Sequence, residues 1–247
     1  ARLSVINLEG EPLDRFNAIA EELSQLSTEF SNHVLDATKA FELILTQLDD
    51  VAGLPPRLLQ LDAQSFNQAS AKKADGDKSE VAETLTSSPA ATPEAGPWRI
   101  TLDGPIVTPF LQHCRRRDLR ETIYRAFISR AASGQWDNRE NISRILKLRR
   151  EKAELLGFQT FAELSLAEKM APGVSAVDEM FETLLTASRK PAEKDLVDLA
   201  PIAASGGQTE PLMHWDIGFW AERLREQRYD YTDEQMRPYF PLPKVLD

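Results

Sequence analysis

The sequence predicts an all-α protein, an elongated lobe of antiparallel helices with at most a short strand pair. Three observations predict it. Apolar residues recur at steps of three and four over most of the chain, Pro and Gly fall between those periodic runs, and only one short stretch alternates with a period of two.

The first element runs from Pro12 to about Leu48, with Phe16, Ile19, Leu23, Leu26, Phe30, Val34, Phe41, Ile44 and Leu48 on one stripe. A helix of that length extends on the order of 50 Å at the α-helical rise. Gly53 and the Pro55-Pro56 pair end it, because proline lacks the N–H that a helix interior needs. Residues 67–97 are polar and rich in Ala, Ser and Pro, the composition of a linker or insertion that cannot bury enough surface to fold alone. This divides the chain into a long-helix unit 1–66, the linker 67–97 and a helical domain 98–247. Trp98, Ile100 and Leu102 alternate and predict one strand.

Helix punctuation follows. Thr108-Pro109 reads as a cap with proline at the first helical position. Asp118 with Glu121, Thr160 with Glu163, and Thr232 with Gln235 have capping-box spacing. Leu119, Ile123 and Phe127 line one helix, and Ile142, Ile145, Leu146 and Ala153 the next, with Gly157 just past its end. Ser175 opens a long helix through Val177, Met180, Phe181, Leu184 and Leu185, with a kink expected at Pro191. The final helix carries Trp215, Phe219 and Trp220 near its start. No repeat at a fixed period occurs.

Charge and chemistry narrow the function classes. A net charge of -10 argues against a general nucleic-acid binder, which needs a basic face. Arg115, Arg116, Arg117, Arg120, Arg125 and Arg130 are a local exception, readable as a solvated helix face or as a docking surface for an acidic partner. No apolar run approaches the roughly 20 residues that span a bilayer, and no signal-peptide pattern is visible. The chain opens at Ala1, as expected of a removed leader or of a piece of a longer chain. The single cysteine, Cys114, excludes an internal disulfide and reads as a buried structural thiol. His33, His113 and His214 lie far apart, with no pair at ligand spacing, and no nucleophile elbow or phosphate loop occurs. Asp137 after Trp136, and Asp216 after Trp215, both sit where a helix begins and read as N-terminal helix residues beside tryptophans that anchor the turns. On these grounds the chain is expected to carry no catalytic residue, no metal ligand set and no cofactor.

Four blocks nevertheless share a pattern: "FNAIAEELSQLSTEFSNHVLDATKAFELILT" (16–46), "GPWRITLDGPIVTPFLQHCRRRDLRETIYRAFISRA" (96–131), "WDNRENISRILKLRREKAELLGFQTFAELSLAEKMA" (136–171) and "HWDIGFWAERLREQRYDYTDEQMRPYFPLPKVLD" (214–247). In that order they resemble the thimet oligopeptidase and oligopeptidase A family of zinc metallopeptidases. The resemblance implies that these helices form the N-terminal and middle part of a two-lobed helical shell around a channel that admits short peptides. It also implies that the zinc belongs to a later His-Glu-x-x-His segment, whose Glu acts as general base on the metal-bound water. No position here matches those ligands, so zinc is expected in full-length relatives and not in this chain.

Two functions follow from the resemblance. One is the non-catalytic portion of an oligopeptidase-like enzyme that cleaves short peptides when joined to its catalytic half. The other is a truncated helical subunit with a structural role in a larger assembly. Either needs a protein partner or the missing half, and an apolar face for it. Trp215, Phe219 and Trp220, with Phe16, Leu23 and Phe30, are the candidates for that face; the alternative is that the three aromatics of the last helix belong to the chain's own core. A mitochondrial or chloroplast location is expected ahead of a cytoplasmic one.

Overall fold

A computed structural model describes residues 8–76, 90–229 and 233–241. Helices dominate it, and the described strands form one two-stranded sheet. In order the elements are α1 (Glu11–Ala40), β1 (Leu43–Leu45), α2 (Pro56–Gly76), β2 (Trp98–Ile100), α3 (Gly104–His113), α4 (Arg117–Ile128), α5 (Arg139–Leu155), α6 (Phe161–Leu166), α7 (Val174–Ser205), α8 (His214–Tyr229) and the single turn α9 (Asp233–Met236). They gather into two compact units. One holds the chain up to Ala40 with Ser129–Glu193, and the other holds Phe41–Ile128 with residues from Lys194 onward.

α1 stops at Ala40, short of the predicted Leu48. The next residues pair with β2 in antiparallel register, Leu43 opposite Ile100 and Leu45 opposite Trp98, so strand pairing overrides a helical periodicity that the sequence continues. Ile44 and Leu48, predicted on the buried stripe, are exposed instead. β2 obeys its alternation: Trp98, Ile100 and Leu102 are all buried, while Arg99 points outward and donates to Glu42 at 2.8 Å. These apolar side chains join Leu54, Leu58, Val107, Phe110 and Ile123 in the main core of the second unit. Residues 67–76 of the polar segment are the last turns of α2, and the Asn67 side-chain amide clasps Ala91, its Nδ2 donating to the Ala91 carbonyl at 2.9 Å and its Oδ1 accepting from the Ala91 N–H at 2.8 Å. Residues 77–89 lie outside the described residues.

Several helix boundaries differ from the sequence pattern. α3 begins at Gly104 with Asp103 before it, so Pro109 sits inside the helix rather than at its start. Asp118 is not a cap but a first-turn residue of α4, its carboxylate taken by Arg116 at 2.6 Å, while Glu121 pairs with Arg125 at 2.7 Å. The Thr160–Glu163 capping box is present, each side chain accepting from the other's backbone N–H at 3.2 Å. Thr232 lies outside the described residues. Gly157, at φ +78°, ends α5: its N–H donates to Glu154 and that of Phe158 to Ala153, a Schellman closure. α7 continues through Pro191 to Ser205.

The first unit pairs α1 with α5, burying Ile19 from one helix and Leu148 and Ala153 from the other. Ile142 and Leu146, which the spacing places on the buried face of α5, turn outward. Thr38 and Asn138 are buried polar residues of this unit, and Asn138 immediately precedes α5. Its Nδ2 donates to the Phe30 carbonyl at 3.1 Å, its backbone N–H donates to the Ala131 carbonyl, and its Oδ1 lies 3.0 Å from His33 Nδ1. Bidentate pairs Arg15–Glu151 and Arg144–Glu22 flank the seam.

Candidate functional site

Part of what the sequence singles out, Cys114, Arg117, Arg120, His214, Trp215, Asp216, Phe219 and Trp220, gathers in the second unit around the first turn of α8, while Phe16, Leu23, Phe30, His33, Arg130 and Asp137 lie in the first. Asp216 is fully buried there and accepts six protein hydrogen-bond contacts. Arg117 Nε reaches both carboxylate oxygens at 3.1 Å and Arg117 Nη2 reaches Oδ2 at 2.9 Å. Arg120 Nη2 donates at 2.9 Å, Gln208 Nε2 at 3.1 Å and the Met213 backbone N–H at 3.0 Å. Burial pushes the Asp216 pKa up, but the donations from Arg117, Met213 and Arg120 outweigh it and hold the carboxyl below its ordinary value. Local sequence explains part of this: an acid in the third position of a helix reaches back to the preceding backbone N–H, as in half a capping box. The helix-start reading of Asp216 therefore stands, with two arginines from α4 added to it, whereas Asp137 lies before Asn138 and outside α5, its carboxylate accepting from the Arg139 backbone N–H at 3.0 Å.

Arg120 is the buried basic residue of the Arg-rich stretch. Its three nitrogens donate to the carbonyls of Trp215, Cys114 and Arg115 and to Asp216, and its guanidinium carbon sits 4.2 Å from the Phe219 ring centroid. Arg117 and Arg125 approach the face of Trp215, and Tyr124 stacks on His214. The Arg-rich stretch thus divides. Arg120 is interior glue, Arg117 is half-buried against Asp216, Arg116 pairs with Asp50 and Asp118, and Arg130 donates to Thr38 in the first unit. Cys114 is buried at the same place, and burial raises its pKa to about 11, which keeps it a thiol.

Trp215, Phe219 and Trp220 lie in this interior, each at most 7% exposed, which is the own-core alternative for them. Phe219 meets Trp220 edge to face at 4.9 Å, and Trp220 donates to Gln208 at 2.8 Å. A Cβ on Gly206 would fall 2.3 Å from the Trp220 ring, so only glycine lets the end of α7 approach so closely. Of the other face candidates, Phe16 and Leu23 are half-buried and Phe30 is exposed at 36%. The exposed apolar stripe lies elsewhere, along α7, at Met180, Phe181, Leu184 and Leu185 and further on at Leu196 and Val197.

His113, Glu222 and Glu226 bring one nitrogen and two carboxylate oxygens within 4.8 Å of one another, a trio that i, i+4 spacing on α8 makes possible and that a His-only search overlooks. Both carboxylates already carry guanidinium partners, Arg225 on Glu222 and Arg223 on Glu226 at 2.7 and 2.9 Å. Arg223 Nη2 also lies 3.2 Å from His113 Nδ1. A cation entering this trio would displace one arginine and face another, so the donor set fits an ion-pair network and not a zinc centre. No helix among the described residues is long and apolar enough to cross a membrane.

Comparison with known proteins gives this helical architecture a family. The profile of Peptidase family M3 matches residues 110–247. A probable cytosolic oligopeptidase A of Arabidopsis thaliana is 49% identical over the whole of this chain, which covers 33% of that protein. An organellar, chloroplastic/mitochondrial oligopeptidase A of the same plant is 46% identical over 98% of this chain, covering 29% of its own length. Oligopeptidase A of Escherichia coli is 35% identical over 99% of this chain and 33% of its own length. The chain belongs to peptidase family M3. It spans about a third of the length of the curated relatives it matches.

Proposed function

We propose that this chain is the non-catalytic helical portion of an oligopeptidase-like zinc metalloendopeptidase, which cleaves short peptides once joined to the segment carrying His-Glu-x-x-His. The observation that carries this reading is the α7 stripe. Met180, Phe181, Leu184 and Leu185 are each about half exposed or more, on a family member that spans a third of its relatives' length. Burying such side chains contributes on the order of 2 kcal/mol each, so a covering segment is strongly favoured. The remaining two-thirds of an oligopeptidase chain is the natural cover, and it would also bring the zinc ligands and the general base.

The same stripe suits a truncated copy that serves as a structural subunit on another protein. A reading frame that continues into His-Glu-x-x-His selects the peptidase; a natural stop near Asp247 selects the subunit. The relatives divide between cytosol and organelle, so an organellar location stands as one of two and not ahead of the cytosolic one. A quenched fluorescent peptide assay tests the peptidase reading. Hydrolysis should be absent with this chain alone, with or without zinc, and should appear, sensitive to a chelator, when the chain is continuous with its C-terminal segment. Turnover by this chain alone would overturn it.

A further inference from the structure

A cleft of about 570 Å³ opens in the second unit between the Gly53 turn, the start of α4, the end of α7 and the outer side of α8. Arg115, Arg117, Arg120 and Arg223 line it, against two acids, Glu210 and Glu226. Asp216 stands behind two of the arginines, so the basic groups still outnumber the acidic ones when it is included. The chain as a whole is strongly acidic, with a net charge of -10, which makes a basic cleft a local exception rather than part of a basic surface.

The nitrogens of these arginines are unequally used. Every nitrogen of Arg120 is engaged in the interior. Arg117 spends Nε and Nη2 on Asp216 and the Pro211 carbonyl, and its Nη1 has no partner among the described residues. Arg223 spends Nε and Nη2 on Glu226 and His113, and its Nη1 is likewise without one among the described residues. The Arg115 side chain makes no hydrogen bond or ion pair with any described residue, yet its backbone is fixed. Its N–H donates to Ala52 at 3.1 Å and its carbonyl accepts from Arg120 at 3.3 Å. Its stem rests on the Gly53 turn, where an added Cβ would come within 3.1 Å of Arg115 Cγ and 2.5 Å of the His113 carbonyl oxygen. Carboxylates hold Arg117 and Arg223 in place, and a bare glycine backs Arg115. The geometry is that of a site organised before anything enters it.

We propose that this cleft binds a phosphate group, free or as the terminal group of a small ester. A carboxylate presents its acceptor sites in one plane, whereas three guanidinium groups from two stretches of the chain, 115–117 and α8, offer donors to a tetrahedral anion with oxygens on several sides. Phe219 and Trp220 wall the cleft and lower the local dielectric, which strengthens the contacts. Glu210, exposed on the rim beside Arg117, opposes the anion and sets an upper bound on affinity.

Isothermal titration of the purified protein with inorganic phosphate and with pyrophosphate, at constant ionic strength, tests this. One saturable site per chain is expected, with pyrophosphate the tighter. Arg115→Ala should weaken it about tenfold, as expected for loss of a charge-assisted contact. Arg115→Lys should fall between the two. Arg116→Ala, whose side chain serves Asp50 and Asp118, should leave it unchanged, and Glu210→Gln should strengthen it. Melting curves of Arg115→Ala must match the parent, and if they do not, Arg115→Lys and Glu210→Gln decide. Heat no larger than that from sodium chloride, unchanged binding in Arg115→Lys together with Glu210→Gln, or succinate binding as tightly as phosphate would each overturn the proposal.

Discussion

The two units solve the same problem with different means. The second has a contiguous apolar core under β2, α2 and α3, a second cluster where α8 meets the end of α7, and a buried ion cluster around Asp216. In the first, the buried apolar side chains among the described residues are Ile19, Ala131, Leu148 and Ala153, and much of what joins α1 to α5 is polar: Asn138, Arg15–Glu151 and Arg144–Glu22. Surface ion pairs contribute little, because solvent screens them and ordering long side chains costs entropy. The second unit therefore holds most of the buried apolar side chains, while the first leaves Phe181, Leu184 and Leu185 exposed, and the proposed function has a further segment cover them.

The sharpest way to break this contrast is at Asp216. Asp216→Ala leaves Arg120 buried and unpaired, and such losses run to about 3–5 kcal/mol. Thermal unfolding should show the second unit lost at a temperature where the parent is folded; a shift of only a degree or two would mean the ion cluster is dispensable. Because the carboxyl is held below its ordinary pKa, this stabilisation is present above about pH 4. It disappears as pH falls through the folded-state value.

The same unit holds a liability of opposite sign. Asp62 is fully buried with no hydrogen-bond partner for either carboxylate oxygen among the described residues, and burial raises its pKa from 3.8 to about 7. The folded state keeps this proton where the unfolded chain has lost it, so stability falls as pH rises from about 4 to about 7 and then levels. The total is on the order of 4 kcal/mol. Asp62→Asn should therefore raise the denaturation midpoint at pH 8 and change it little at pH 4. Equal effects at both values would sink the assignment.

Short-range features of both units are legible in the sequence. The alternation of Trp98, Ile100 and Leu102, the Thr160–Glu163 box and the helix stop at Gly157 are local signals, and local physics decides them. Long-range partners are not legible. Nothing in "RRRDLRE" distinguishes buried Arg120 from Arg116 in solvent, because the difference is made by Asp216, 96 residues away. The end of α1 escapes the periodicity for the same reason, since the strand that captures Leu43–Leu45 lies far along the chain at Trp98–Ile100. The aromatic residues of α8 read as anchors from their types, yet spacing alone does not say which side of the helix is covered. The apolar stripe of α7 is visible in the sequence, but its exposure is not.

Smaller effects sharpen the contrast from the other side. Asn138→Ala removes a buried amide that ties α5 to the Phe30 carbonyl, and should cost about 1–3 kcal/mol in the first unit only. Arg144→Ala, at an exposed pair, should leave the melting profile within error. Cys114 should resist alkylation in the folded protein at pH 8 and react at once in denaturant.

Amide hydrogen exchange on this chain alone tests the contrast most directly. Slow exchange is expected in α3, α4 and the first turns of α8, and fast exchange in α1, α5 and the α7 segment from Met180 to Leu185. That segment should slow when the chain is continuous with a C-terminal peptidase segment. Equal protection of both units in the chain alone would contradict this, because the first unit would then need no cover.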